Sequence, residues 1–294
     1  MAVRDAGVRR RAGVDEVLLA GWPMDLNGVT SVITPGPADA LPDWQAGDAW
    51  LAGGTWLFSQ PQPQLGRLID LAGLGWPTHA VSDSGLTLSA TGTIAELDRL
   101  DLPPAWVASP LVGQCCRALL GSFKIWNTAT VGGNLCMALP AGPIIALTAA
   151  LDGVCTIRMR GGGERHLAVP DFVLGPERTA LQPGELLRSV ALPVAALCRR
   201  TAFRRISLSP NGRSGALLIG TRDGAGAFVL TVTAATRRPV RIAFDAVPDA
   251  QALRERILAA IRDPDWYDDV HGTPDWRRHV SLFLAEDIRQ ELTR

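Results

Sequence analysis

At 294 residues and 31.3 kDa the chain can bury a sizeable core and has room for two compact units of roughly 100–200 residues each. Its 29 basic residues balance 29 acidic ones, which removes the net electrostatic case for nucleic acid or an anionic membrane and argues for a neutral partner or substrate. The composition, 47% hydrophobic and 20% charged, is globular; no apolar run approaches the roughly 18–20 residues of a membrane span and no basic-then-apolar leader opens the chain, so the expected address is cytoplasmic.

In chain order, residues 1–23 combine the arginine cluster Arg9 to Arg11 with a short apolar turn, and read as a solvated tail or short helix. From Val29 the pattern is a strand to Ile33, a proline turn with a helix over Pro35–Leu41, and a strand from Asp48 that runs into Gly53-Gly54. Leu68–Leu71 follows, then Leu86, Leu88 and Ala90 alternating with Thr87 and Ser89 at the period of a half-buried strand. Helices are expected over Ile94–Leu100 and Trp106–Leu120, the second interrupted by Pro110. They lead to Ser122–Pro140, SFKIWNTATVGGNLCMALP, which reads as a short apolar strand, a polar turn and a second glycine pair, Gly132-Gly133.

Pro140–Leu151 is apolar almost all round, as a buried helix would be, and Val154–Met159, Gly161–Gly163 and Arg165–Val169 form a hairpin. A break near Ala195–Thr201 marks a domain boundary. Beyond it, Ala216–Gly220, Ala227–Thr233 and Val240–Phe244 read as strands, and Pro248–Ile261 and Thr273–Leu292 as helices. In the last, Trp276, Val280, Phe283, Leu284 and Ile288 recur at helical spacing behind a Thr273 N-cap and Pro274. The expected class is α+β.

Acid–base and nucleophilic chemistry of the chain's own is not visible. His79, His166, His271 and His279 lack metal-ligand spacing, Ser207, Ser209 and Ser214 are not set in a nucleophile elbow, and Cys115, Cys116, Cys136, Cys155 and Cys198 read as reduced core thiols. The two glycine pairs carry the chemistry. Each follows apolar residues, allows close backbone approach, and can expose successive N–H groups to an anion such as phosphate; a plain turn is the alternative reading for either pair alone.

Taken together, AGGTWL at Ala52–Leu57 and TATVGGN at Thr128–Asn134 resemble the two flavin-binding signatures of the FAD-binding middle subunit of molybdenum hydroxylases, the carbon monoxide dehydrogenase, xanthine dehydrogenase and aldehyde dehydrogenase type. Asp171-Phe172, Gly175–Leu181, Gly184–Val190 and Leu192-Pro193 resemble the run that closes the flavin domain of that family, and Ala202–Arg205 the start of its C-terminal domain. The resemblance implies a two-subdomain FAD-binding fold of the vanillyl-alcohol-oxidase type, residues 24–197 with subdomains of about 24–78 and 79–197, then a C-terminal domain over 198–294 made of a small antiparallel sheet with helices on one face.

It also implies FAD held by Ala52, Gly53, Gly54, Thr55, Trp56 and Leu57 on one side and by Thr130, Val131, Gly132, Gly133 and Asn134 on the other. Leu120 and Leu181 fall where the family places apolar flavin contacts, and Arg204 where a relative uses a lysine near the ring. The implied role is an electron-transfer oxidoreductase subunit. Its partners would be a molybdopterin-binding large subunit and a small subunit with two [2Fe–2S] clusters, in a dimer of heterotrimers, with no nucleic acid and no membrane span. Two positions depart from the family pattern: Leu139 stands for a serine and Pro143 for an aspartate, and Gln60–Gln64 replaces a stretch that commonly carries a lysine. The rival expectation is therefore a scaffold subunit that has lost its flavin; a stand-alone FAD oxidoreductase is a third. Neither the substrate nor the final acceptor, whether NAD, oxygen or a quinone, is encoded in these motifs.

Overall fold

A computed structural model describes residues 26–37 and 41–294. The expected tail over 1–23 lies outside the described residues, as do residues 38–40 of the expected Pro35–Leu41 helix; Pro35–Pro37 is non-helical. Three short parallel strands come first: β1 (Ser31–Ile33), β2 (Asp48–Leu51) and β3 (Arg67–Asp70), in the order β1-β3-β2. Asp48 opens β2 and is buried. Arg67, opposite it in the register, donates from Nε at 2.8 Å and from Nη2 at 2.5 Å to its two carboxylate oxygens.

That ion pair gives a pH prediction. Hydrogen bonds from Arg67 outweigh burial and hold the Asp48 carboxyl below the usual carboxylate range. A carboxylate depressed in the folded state contributes stability that is present above its unfolded pKa of about 3.9 and is lost as pH falls through its folded value. Denaturation curves between about pH 2.5 and 6 should therefore show Asp48→Asn with a shallower acid limb than the parent. Parallel limbs would remove Asp48 from the account.

The second unit is an antiparallel sheet wrapped by helices. Its elements are β4 (His79–Ser82), β5 (Gly85–Ser89), α1 (Ile94–Asp98), α2 (Ser109–Ala118), α3 (Phe123–Trp126), α4 (Val131–Met137), α5 (Pro143–Ala150), β6 (Val154–Arg158), β7 (Glu164–Ala168), α6 (Val169–Phe172), a hairpin of β8 (Val173–Gly175) and β9 (Arg178–Thr179), and β10 (Leu186–Pro193). The order is β4-β5-β10-β6-β7. Thr93 caps α1 in a capping box with Glu96, and Pro110 starts α2 rather than interrupting it, because a first-turn N–H has no intrahelical acceptor and its absence costs no helical hydrogen bond. All eight residues of α5 are buried, and its Ile144, Ile145 and Leu147 each contribute on the order of 1.5–3 kcal/mol by leaving water.

A helical turn, α7 (Val194–Leu197), leads into a meander of β11 (Arg200–Ile206), β12 (Ala216–Arg222), β13 (Phe228–Thr233) and β14 (Val240–Phe244). Helices α8 (Ala250–Ala260) and α9 (Pro274–Thr293) pack on this sheet, and its opposite face rests on α5. Leu218, Leu230 and Ile242 thus join one core with Ile257 and Ile288, while Leu217 and Ile219 join the core of the preceding unit. On α9, Val280, Leu284, Ile288 and Leu292 are buried at four-residue steps, whereas Phe283 lies off that stripe and is 69% exposed. Asp152 pairs with both Arg199 and Arg241 and adds a polar tie between the units. Among the described residues no helix is long and apolar enough to cross a membrane.

Candidate cofactor cleft

Beyond Leu51 the chain turns through Ala52–Trp56 into a single helical turn at Leu57–Ser59, where the Phe58 N–H donates to the Gly54 carbonyl at 2.9 Å. Gly54 has φ +68°, the left-handed region. Gly53 is required for another reason: a Cβ there would overlap the Thr128 carbonyl oxygen and stand 2.7 Å from its carbon and 3.3 Å from Ala129 Cα. The two glycine motifs therefore touch, backbone against backbone. Among the described residues, the N–H groups of Gly53, Gly54, Thr55, Trp56 and Leu57 have no acceptor, which leaves five adjacent donors for a ligand.

The second motif differs from its expected form. Phe123–Trp126 is a helical turn and not a strand, and Val131–Met137 is a helix. Thr130 caps it, accepting from the Gly133 N–H at 3.0 Å; Val131 donates to the Gly92 carbonyl at 2.8 Å, Gly132 to Ala90 at 2.8 Å and Asn134 to Thr130 at 3.0 Å. Those first-turn donors are consumed, so the anion cradle belongs to the first motif alone. Gly132 serves close packing: a Cβ on it would meet Ala90 Cβ at 2.6 Å. Asn134 Oδ1 accepts from the Ile144 N–H at 3.0 Å and ties α4 to the start of α5, while its amide nitrogen has no acceptor among the described residues.

These elements wall a cleft of about 820 Å³, within the usual range for a small-molecule site. One lip is residues 50–57 with Gln60–Gln62 and Gln64; the other carries Leu119, Ile125 and Ala129. Thr130, Gly133, Asn134, Cys136 and Met137 present one side of α4 to the cleft, and Leu139, Glu177 and Arg213 complete its lining. The first lip is fixed by Trp50, whose Nε1 donates to the Glu185 carbonyl at 2.9 Å, at the start of β10. Burial pushes the Cys136 thiol up to about 12, so it is a neutral wall and not a nucleophile. Among the described residues no cluster of His, Cys, Asp or Glu is placed to hold a metal ion.

Of the residues singled out in the sequence, Ala52–Leu57, Thr130, Gly133 and Asn134 line this cleft. Val131 and Gly132 are buried behind it, Leu181 packs on the core, and Leu120 is exposed while its neighbour Leu119 takes the lining position. Arg204 is elsewhere. Alternation along β11 turns Ala202, Arg204 and Ile206 toward α9, where Arg204 pairs with Asp287 and Glu291, and turns Phe203 and Arg205 to the opposite face, toward the preceding unit. Cys198 is exposed, a correction to its reading as a core thiol. Helical spacing over Thr130, Gly133, Asn134 and Met137 would have exposed Met137 as a lining residue; nothing local marks Glu177 or Arg213.

Residues 40–195 match the protein family described as the FAD binding domain in molybdopterin dehydrogenase. The beta subunit of caffeine dehydrogenase from Pseudomonas sp. (strain CBB1) is 30% identical over 117 residues, 39% of each chain. Xanthine dehydrogenase from Oryza sativa subsp. japonica is 36% identical over 122 residues, 40% of this chain and 9% of that one. The match thus spans well under half of either relative. Among solved structures, a chain of reconstituted CO dehydrogenase from Oligotropha carboxidovorans shares the fold with a TM-score of 0.76, at 21% identity, over 88% of this chain and 96% of its own. A chain of quinoline 2-oxidoreductase from Pseudomonas putida 86 does so with a TM-score of 0.71, at 20% identity, over 89% and 96%.

Proposed function

The chain belongs to the family of FAD binding domains in molybdopterin dehydrogenases, and on that premise we propose that it carries FAD in this cleft as the electron-transfer subunit of a heteromeric molybdenum hydroxylase. The observation that carries the reading is the row of five N–H groups at Gly53–Leu57 that have no acceptor among the described residues, set where the two glycine motifs meet. A dinucleotide needs donors for its pyrophosphate, and oriented backbone N–H groups supply them without a side-chain charge. FAD, when bound, supplies the redox chemistry; the protein binds and orients it and tunes its electronics.

In this reading Ala52–Leu57, Thr130, Gly133 and Asn134 contact FAD, Val131 and Gly132 set the position of α4, and Leu120 and Leu181 border the site. Residues 24–78 and 79–197 are the two subdomains of a vanillyl-alcohol-oxidase-type fold, and 198–294 the C-terminal domain. The partners are a molybdopterin large subunit and a small subunit with two [2Fe–2S] clusters, in a cytoplasmic dimer of heterotrimers. Electrons would arrive from those clusters and leave to a final acceptor. The test is the visible spectrum of the purified chain, before and after denaturation. About one FAD per chain supports the reading; a colourless chain that takes up no FAD even with its partners overturns it.

The flavin-free scaffold reading is favoured by one observation. Leu139 places a side chain without hydrogen-bonding atoms on the cleft wall, and Pro143 is buried in the first turn of α5 and is not among the cleft-lining residues. If that wall has lost one hydrogen bond to FAD, worth about 0.5–1.5 kcal/mol, Leu139→Ser should tighten FAD about 2- to 10-fold in a fluorescence-quenching titration. An unchanged or weaker affinity would take Leu139 out of the argument.

A further inference from the structure

Glu177 and Arg213 are the two charged side chains among the described residues of the cleft lining, and main-chain hydrogen bonds relate the loop that carries each to the C-terminal end of α4. The Glu177 N–H donates to the Ala138 carbonyl at 3.3 Å, which folds the β8–β9 turn against the C-terminal end of α4. Arg213 lies in the connection between β11 and β12. Gly215 closes that connection by donating to the Ile206 carbonyl at 2.8 Å. Buried Arg277 donates to the carbonyls of both Gly215 and Ala234, and the Ala234 N–H donates to the Pro140 carbonyl at 2.8 Å. Arg213 is thereby tied to the residue beside Leu139.

The N–H cradle meets the other end of α4, where Gly53 lies against Thr128 and Ala129. Seven residues of helix at 1.5 Å per residue put about 10 Å between the two ends. The cleft is thus neutral and donor-rich at one end and carries one cation and one anion at the other. Among the described residues neither side chain has a hydrogen-bond or ion-pair partner, and the two do not pair with each other.

From this, and resting on the flavin reading above, we infer that Arg213 and Glu177 are opposed electrostatic controls on the flavin ring, Arg213 favouring its reduced form and Glu177 its oxidised form. FAD extends in two directions from its pyrophosphate, to the adenosine and to the flavin ring, and on this inference the ring lies at the charged end. Two electrons and one proton convert the neutral oxidised ring into a reduced monoanion, and a nearby cation lowers the energy of that anion as a nearby carboxylate raises it. Both side chains are exposed, so the effect is modest and falls as salt is added.

The experiment uses the full chain loaded with FAD, titrated with sodium dithionite against a reference dye at fixed pH and ionic strength, with bound FAD counted in parallel. Arg213→Gln should shift the oxidised-to-reduced equilibrium about tenfold toward oxidised, a fall of about 30 mV for a two-electron couple. Glu177→Gln should raise the midpoint by a similar amount, and Arg213→Lys should keep the parent value. A packing or folding defect does not give shifts of opposite sign. Midpoints unchanged in both variants, or moved in the same direction, would overturn the inference. Loss of FAD from Arg213→Gln alone would also overturn it, by assigning Arg213 to the phosphate grip. A parent chain that takes up no FAD would overturn the flavin reading itself and this inference with it.

Discussion

Gly53→Ala should yield a folded chain that has lost its flavin. The added methyl meets main chain, which cannot rotate away as a side chain can: it overlaps the Thr128 carbonyl oxygen and stands 2.7 Å from the carbon. Nor is that backbone free to retreat. Ala129 donates to the Ile125 carbonyl at 2.7 Å, Thr128 Oγ1 donates to Lys124 at 2.7 Å, and the Ala129 carbonyl accepts from Ile94 at 2.9 Å. The first lip must therefore move, taking the donors of Gly53–Leu57 with it.

Overpacking of this kind costs about 1–3 kcal/mol, and hydrogen bonds to a charged group are worth about 1.5–3 kcal/mol each. An FAD Kd raised 100-fold or more is expected, since about 2.7 kcal/mol corresponds to two powers of ten. Calorimetric titration of the apo chain with FAD reads the loss, and a thermal melt checks the fold. Gly66→Ala is the control, because a Cβ there meets nothing within 4 Å. Retention of FAD within about threefold of the parent in Gly53→Ala would sink the cradle argument.

Why the first motif was legible in the sequence and the second only half so is a matter of local against long-range determinants. Asp48–Leu51 leads into Gly53-Gly54 as a strand into a turn, and the turn is local. In the second motif a glycine pair, poor in intrinsic helix propensity, is helical because Thr130 caps it and because Gly132 lets α4 press on Ala90. The cap is local, but the contact with Ala90 is made far along the chain and does not show in a short window. β10 was missed because a bulge between Leu187 and Ser189 shifts its alternation, and the apolar run of β12 reflects burial of both sheet faces, one by α5 and one by α9. Arg204 alternates with Phe203 and Arg205 along β11, and the period of two turns it toward Asp287 and Glu291 on α9, in ion pairs that no local pattern announces. Arg213 had no signal, since its place depends on ties made 62 residues away, from Arg277 to Gly215.

Those ties make Arg277→Met the most destabilising substitution expected in the C-terminal unit. Its side chain is 1% exposed, donates from Nε to the Gly272 carbonyl at 2.9 Å and from Nη1 to Gly215 at 2.8 Å and to Ala234, and pairs with Asp269. Burial pulls its pKa down and Asp269 opposes this, but a guanidinium stays charged at neutral pH. Methionine fills much of the volume and supplies none of the donors, leaving three carbonyls and a half-buried carboxylate without it. Removing one partner of a buried pair costs about 3–5 kcal/mol, a fall in Tm on the order of 10 °C for a chain of this size. Arg277→Lys keeps the charge without the planar fork and should fall between the two. A Tm within about 2 °C of the parent would show that the carbonyls find other donors. If the fall is as large as expected, the ties from Arg277 through Ala234 to Pro140 and from Gly215 to the Arg213 connection are loosened together, so the charged end of the cleft is disturbed by a residue that never touches it.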